Sequence, residues 1–577
     1  MNNAQIAETF DLIGDLLEFT GANPFRVRAY RNAARTVRDL SEPVAELISG
    51  DGRKLTDIPG IGEDLAQKIT VLAQGGELPL LAELRAAVPE SVLALLRIPG
   101  LGPKKAVALH KELGINSLDD LRRACQQHRV RELKGFGEKT EQAILAGLDF
   151  ASQAQVRMLW AEADLYAQSI MQHLRRARSI EQMEAAGSYR RGRDTVGDLD
   201  LLVVSAKPAE VMDALADFER GAAVLARGET KMSIRLNCGL QVDLRVVPAE
   251  SFGAALQYFT GSKEHNVELR SRAKARGLKI NEYGVFRDDQ YIAGRTEEEV
   301  YAALGLPWFP PELREARHEF EWADAGALPH LVSVEDIQGD LHMHTSESDG
   351  SATIEEMVAA AQRRGLKYLA ITDHSKRVTM ANGLNAARLR RQWAHIDKLN
   401  ATLRGFTVLK GVEVDILERG GLDLEDDVLA EADWVVASLH YGQNQPRDQI
   451  TRRIVDALRH PAVCAIGHPT GRLINRRKPY EVDLDAVFKA AKEHGKCLEL
   501  NANPERLDLD DVACAAAKAH GIPIVISTDA HSPEQLDKLR YGILQARRGG
   551  LTPADVANTR SWSQLRKLLG RTRKKGS

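Results

Sequence analysis

The sequence predicts a multidomain chain: an α-helical N-terminal region, an α+β middle and a C-terminal α/β barrel of seven strands. Three observations carry this. Glycine turns of one type recur through the first 150 residues, β-type runs rich in Val and Leu begin near Ala186, and a third pattern starts after Asp336. There, seven short β-type runs end in His, Asp, Glu or Asn and alternate with helical spacers. The 577 residues suit roughly three to five domains.

Composition narrows the class. Apolar residues make up 44% and charged residues 28%, ordinary globular values that exclude bulk disorder. No apolar run is long enough to span a bilayer. Met1–Phe10 is polar and carries Glu8, so no signal peptide is expected. The five cysteines form no CxxC pair, which fits a reducing compartment better than a disulfide scaffold. The net charge of -3 excludes nothing about nucleic acid, because a binding footprint is a local patch.

The N-terminal turns are Ile58-Pro59-Gly60-Ile61-Gly62, Ile98-Pro99-Gly100-Leu101-Gly102 and Leu133-Lys134-Gly135-Phe136-Gly137. A Gly-x-Gly turn that opens a helix exposes backbone N–H groups where a phosphate can sit. Three such turns resemble helix-hairpin-helix clamps on a DNA backbone. Arg28, Arg31, Arg35 and Arg38 share one helical face and form a phosphate-binding stripe beside them.

In the middle, Gly187-Ser188-Tyr189-Arg190-Arg191-Gly192 precedes Gly197-Asp198-Leu199-Asp200, and Asp243 lies in the run Leu240–Val247. Asp198 and Asp200, two apart on a strand, face one side. Three converging carboxylates raise one another's pKa unless divalent cations join them, and two Mg²⁺ ions suit a hydroxyl attacking a phosphate. Ser188 and Arg191 are placed to hold a triphosphate.

The barrel runs carry His342, His344, Asp349, His374, Glu413, His440, His468, Asp529 and His531. Barrels of alternating strand and helix place their chemistry at this end of the strands. His with carboxylate selects Mn²⁺, Zn²⁺ or Fe²⁺ over Mg²⁺, and nine ligands call for two or three ions with Glu413 as a bridge. The chemistry this implies is metal-assisted phosphoester hydrolysis.

The segment GSYRRGRDTVGDLDLLV resembles the nucleotidyltransferase signature of family X DNA polymerases, the DNA polymerase beta-like enzymes. The likeness continues at Tyr258-Phe259-Thr260-Gly261-Ser262 and Asn281-Glu282-Tyr283 and covers roughly residues 1–316. It implies that Asp198, Asp200 and Asp243 bind two Mg²⁺, with Asp243 favouring deprotonation of the primer 3′-hydroxyl. It sets Ser188, Arg191 and Gly197 at the β,γ-phosphates, Tyr258, Phe259 and Gly261 at the sugar, and Asn266 and Arg270 on the minor-groove side. Lys263 adds a cation near the incoming nucleotide. Gln241 stands where relatives often carry Arg, so support for Asp243 is expected to be weaker or to come from elsewhere. The N-terminal segment resembles the deoxyribose-phosphate lyase domain of these enzymes, with Lys68 at the nucleophile position and Tyr30 at a supporting one, although Arg26 and Asp64 replace lysines.

Residues 336–577 resemble the polymerase and histidinol phosphatase (PHP) family in the order HxH, TDH, E, SLH, GHP, TDAH. That resemblance implies a Mn²⁺-dependent 3′–5′ exonuclease with kinship to abasic-site and 3′-end cleavage. Asp373 and Asp415 are expected to orient ligands, and Arg472 to contact phosphate or lie on the surface.

The expected organisation is a lyase-like helix-hairpin-helix domain at 1–85, a fingers-like one at 86–150, a palm at 151–250 and a thumb at 251–316. A linker at 317–335 leads to the PHP barrel at 336–577. The expected function is DNA repair: gap filling with dNTPs on gapped or primer-template DNA by one half, resection by the other. The expected protein is a cytoplasmic, nucleoid-associated monomer with no membrane contact. The alternatives are a PHP nuclease whose polymerase half only holds DNA, and a metal-dependent small-molecule phosphatase.

Overall fold

The computed structural model describes residues 3–40, 44–49, 54–58, 60–88, 95, 101, 103–138, 140–142, 144–145, 148 and 157–570. The chain divides into two compact units, Met1–Val156 and Arg157–Ser577.

The described part of the first unit is helical. Helix Asn3–Phe19 packs on Pro24–Asp39, which starts with proline behind an Asn23 cap. Phe10 and Tyr30 meet edge to face at 5.3 Å in a core that also holds Ile13, Leu16, Ile69 and Leu72. The first and third glycine turns have one geometry. Ile61 N–H donates to the Ile58 carbonyl at 3.1 Å, Phe136 N–H to Leu133 at 3.0 Å, and Gly60 and Gly135 both sit at φ +87°. That dihedral is why glycine stands there. Gly100 and Gly102 lie outside the described residues.

The second unit holds two larger sheets. The five-stranded palm sheet runs β2(Ile180–Ala185), β4(Asp198–Ser205), β7(Gln241–Val246), β6(Lys231–Leu236), β5(Gly221–Arg227). Along β4 the residues alternate between faces. Leu199, Leu201 and Val203 enter the core under helices Trp160–Leu174 and Pro208–Ala216, while Leu202 and Val204 pack on helix Phe252–Thr260. A second domain follows, with helices Phe252–Thr260 and Lys263–Ala275 and a three-stranded sheet around Leu269, Val300, Tyr301, Phe309 and Phe320. Residues 317–335, expected as a linker, contain helix Glu319–Asp324 and bury Phe320 against Phe309.

Seven parallel strands form the barrel in sequence order: β11(Gly339–Asp340), β12(Tyr368–Ile371), β13(Thr407–Asp415), β14(Trp434–Ser438), β15(Ala465–Ile466), β16(Cys497–Asn501) and β17(Ile524–Ser527). The ring closes just past the strand ends through a Met343–Ala530 bridge, with Asp529 N–H donating to the His342 carbonyl at 2.9 Å. β12, β14 and β17 read as nearly continuous apolar runs because they are buried on both faces.

Candidate active sites

In the palm, β4 and β7 run parallel with Asp200 opposite Asp243 and Asp198 opposite Gln241. The register therefore gathers the three aspartates on one face. Gly187, at φ +63°, crosses Asp200 so closely that a Cβ would lie 2.5 Å from its Oδ2, so only glycine fits. Burial, then Asp198 and Asp243, push the Asp200 carboxyl up to about 7. Burial, then Asp243, also raise Asp198. This is the crowding that divalent cations relieve, and the donor set fits them. Asp243 accepts from Gln241 Nε2 at 2.8 Å and from the Ser233 hydroxyl on β6. Of the two expectations for Asp243, the structure shows support from elsewhere: Gln241 binds the carboxylate and Ser233 adds a second donor.

Around this triad, Arg191 Nη1 donates to the Thr260 carbonyl at 2.5 Å and Nε to Glu315 at 3.1 Å. Gly197 lies against Arg157, whose Nη1 would be 2.8 Å from a Cβ there. Tyr258 and Phe259 meet edge to face at 5.1 Å, and the Arg245 guanidinium stacks 4.4 Å over Phe259. Gly261 sits at φ +64°. The Asn266 amide is spent internally, accepting from Gln257 Nε2 and donating to the Tyr258 carbonyl, both at 2.7 Å. Ser188 is half-buried, and Lys263 and Arg270 are exposed on helix Lys263–Ala275. Sequence reasoning missed Arg157, Arg245 and Glu297. The last is a buried carboxylate that accepts from Arg190 at 2.8 Å and from Arg314 at 2.5 and 2.9 Å. Only their partners, distant in sequence, give these residues meaning.

In the barrel all nine expected ligands converge. Glu413 on β13 is the hub. Its Oε2 lies 2.7 Å from His374, 3.4 Å from His342 and 3.7 Å from His344; its Oε1 lies 3.1 Å from His468 and 3.4 Å from His440. Asp529 faces His344 at 3.2 Å, and Asp349 faces His374 and His531 at 3.5 Å. Ligand atoms gather in three groups: His344, Asp349, His374 and His531; His342, His344 and Asp529; His374, Glu413 and His440. His342 Nε2, both His344 nitrogens, His374 Nδ1, His468 Nδ1 and Glu413 Oε2 are buried without a hydrogen bond. Such orphaned donors are costly unless cations take them up, so this set fits bound metal. Among non-glycine residues, His468 and Asp529 hold φ values of +28° and +52°, local strain of the kind that marks functional positions.

A further layer holds these ligands. Burial opposes charge on His342, but Glu499, Glu413 and Asp529 raise its pKa well above the usual imidazole value. Glu499 accepts from His342 Nδ1 at 2.7 Å and from the His468 N–H at 2.6 Å. Asp415 takes His440 Nδ1 at 3.0 Å, fixing its ring. Asp373 instead ties down the loop that carries Asp349, accepting from Thr345 N–H, Ser348 Oγ and Gln392. A cavity of about 300 Å³ opens over the cluster, with Arg506 on its wall 3.9 Å from Asp529. Arg472, expected at phosphate or on the surface, is instead spent on internal partners: its side chain, 13% exposed, holds the Arg506 and Leu507 carbonyls at 2.7 Å and Asp194 of the palm at 3.3 Å.

In the first unit, Gly60, Gly62, Gly135 and Gly137 each have open space where a Cβ would point, so a phosphate can approach their backbones. Lys105 lies 5.7 Å over the Phe136 ring beside the third turn, a neighbour the spacing did not reveal. Arg28 covers Phe25 at 4.8 Å, Arg31 is held by Asp15 at 3.0 Å and by Glu18, and the Arg35 and Arg38 side chains lie outside the described set. Lys68 pairs with Asp64 and stands 5.9 Å from the Tyr30 ring.

The DNA polymerase/3′-5′ exonuclease PolX of Bacillus subtilis (strain 168) is 41% identical over 576 residues, 99% of this chain and 100% of that protein. The chain belongs to the PolX family of family X DNA polymerases. Its parts match known families in the same order: a helix-hairpin-helix domain at 1–78, a SAM-like helix-hairpin-helix tandem at 92–149, the DNA polymerase beta palm at 157–226 and thumb at 255–315, and the PHP domain at 340–503. DNA polymerase lambda of Rattus norvegicus is 27% identical over 54% of this chain and 56% of its own. A probable phosphatase of Thermoanaerobacter sp. (strain X514) is 32% identical over 38% of this chain and 89% of its own. The second unit of this chain thus joins a polymerase beta-type palm to a PHP barrel. No helix among the described residues is long and apolar enough to cross a membrane.

Proposed function

We propose that this PolX-family enzyme is a metal-dependent DNA repair polymerase that fills gaps with dNTPs at the palm and resects 3′ ends at the barrel. One observation carries the reading: the aspartate triad in register on β4 and β7 and the nine-ligand cluster around Glu413 lie in one chain, which aligns end to end with PolX. Two Mg²⁺ at Asp198, Asp200 and Asp243, and two or three Mn²⁺ or Zn²⁺ at the barrel ligands, would neutralise charge on the reacting phosphoryl groups.

The chain's own residues do the rest. Asp243, fixed by Ser233 and Gln241, favours deprotonation of the primer 3′-hydroxyl. Ser188, Arg191 and Gly197 take the triphosphate, with Lys263 adding charge; Tyr258, Phe259 and Gly261 border the sugar; Asn266 and Arg270 flank the nascent pair. In the barrel, Glu413 and Asp529 hold five histidines inward and Arg506 offers a cation to the phosphoester. The glycine turns with Arg28, Arg31 and Arg35 hold the DNA backbone. We place the enzyme in the cytoplasm, on the nucleoid when bound to DNA, as a monomer.

The test is one gapped duplex with a 5′-labelled primer, run with Mg²⁺ and with Mn²⁺, with and without dNTPs. Asp198→Ala with Asp200→Ala should abolish extension and spare resection; His344→Ala with Asp529→Ala should do the reverse. Extension that survives the first pair would refute the palm assignment. Resection alone in the unaltered chain would mean that the palm only holds DNA. The lyase at Lys68 needs an amine that leaves Asp64 to form a Schiff base. Borohydride trapping on 5′-deoxyribose-phosphate DNA, lost in Lys68→Ala, is its test. The phosphatase relatives favour a second reading for the barrel alone, which rapid histidinol phosphate turnover would support.

A further inference from the structure

The polymerase half and the barrel meet at a seam of ion pairs, and one of them reaches Arg191 of the palm. Arg191 Nε donates to Glu315 Oε1 at 3.1 Å. Arg548, at the end of barrel helix Leu539–Arg548, donates through Nη1 to that same oxygen at 2.9 Å and to the Arg191 main-chain carbonyl at 2.8 Å. Its Nη2 binds Asp511 at 2.8 Å, and Asp511 also accepts from Arg317 at 2.9 Å. Arg548 is 3% exposed and Glu315 10%. The contact is built into the packing, since Gly192 lies against Leu544 of the same helix and a Cβ there would come within 3.3 Å. A single guanidinium thus fixes both the backbone of Arg191 and the carboxylate that orients its side chain. Only the planar fork of arginine spans three such acceptors at once.

We infer that Arg548 of the barrel is a positioning residue of the nucleotidyl-transfer site, holding the Arg191 guanidinium where the incoming triphosphate is bound. The inference rests on the proposed nucleotide role of Arg191. It goes beyond that reading because it makes nucleotide affinity in the palm depend on a side chain of the nuclease domain. Arg548 neither lines the barrel cavity nor touches its ligands, so its loss should leave the nuclease unchanged.

The experiment uses the full chain and single-nucleotide gap filling. KM for dNTP and kcat are measured for Arg191→Gln, Arg548→Met, Arg548→Lys and the Arg191→Gln/Arg548→Met pair, with exonuclease rates from the same preparations. Arg548→Met should raise KM about tenfold at nearly constant kcat, the scale of one charge-assisted hydrogen bond. The double variant should be no worse than Arg191→Gln, because both act through one group. Arg548→Lys should fall between, and exonuclease rates should match the parent. Unchanged KM in Arg548→Met, with the nuclease intact and KM raised in Arg191→Gln, overturns the inference alone. Unchanged KM in Arg191→Gln overturns the reading beneath it, and the inference with it. Should Arg548→Met lose the nuclease through misfolding, Arg548→Lys decides: raised KM supports the link, unchanged KM overturns it.

Discussion

Replacing Asp200 with asparagine should stabilise the metal-free palm while abolishing extension. Burial and the neighbouring aspartates push the Asp200 carboxyl from 3.8 up to about 7. The unfolded chain gives up this proton near its ordinary value, whereas the folded palm keeps it until about 7. Stability therefore falls as pH rises between those two values, and the penalty is fully present above the higher one. At about 1.4 kcal/mol per pH unit the penalty reaches about 4 kcal/mol at pH 8, an upper figure since water and side-chain relaxation reduce it. Asparagine has the same shape and no charge to resist. Hydrogen exchange of peptides covering β4 and β7, in EDTA at pH 8, reads the palm sheet itself. The variant should exchange up to about a thousandfold more slowly there, and the gain should shrink below about 2 kcal/mol at pH 5. Mg²⁺ should protect the parent and not the variant, because its carboxylate is what the cation binds. Equal or faster exchange by the variant in EDTA at pH 8 would refute the convergence of the three carboxylates.

Two further outcomes follow from other buried charges. Burial opposes ionisation of Glu297, but Arg314 and Arg190 outweigh it and hold the carboxyl at about 2, against 4.5 unfolded. Its stabilisation is present above pH 4.5 and lost as pH falls toward 2, so Glu297→Gln should cost about 3 kcal/mol at neutral pH and show no further loss across that acid window. Exchange in helix Glu297–Ala303 checks this. Glu499→Gln should loosen His342 and weaken metal retention by the barrel about 10- to 100-fold in a chelator competition, with extension unaffected. Equal retention would remove Glu499 from the metal site's support.

The sequence exposed what is local and hid what is assembled. The barrel was legible because each of its runs ends in a polar residue where strand ends face one pocket, and all nine ligands meet there. Glu499 was not, because within Cys497–Asn501 it reads as one polar residue among apolar ones; its partnership with His342 needs the sheet order. The source of support for Asp243 was hidden for the same reason, since Ser233 reaches it only through the β6–β7 register. Residues 317–335 read as a linker because Phe320 enters the core from a short helix that no repeat describes. Arg472 follows His468 closely in sequence, yet its partners lie on the loop after β16 and in the palm.

The seam between palm and barrel constrains how two activities can share one DNA end. It is held by Arg548 with Glu315, Arg317 with Asp511, Arg547 with Glu312, and Arg540 with Asp164. Asp164 is further fixed by the Tyr189 hydroxyl at 2.6 Å, from the same turn that carries Ser188 and Arg191. Pulling the domains apart would break these pairs together. Opening would also release the backbone of Arg191 from Arg548. On the proposed nucleotide role of Arg191, an enzyme that separated its domains to hand a primer end to the barrel would loosen its nucleotide site each time. The economical route keeps the seam closed and moves the DNA, so that removing a nucleotide and adding one are alternatives set by where the 3′ end lies.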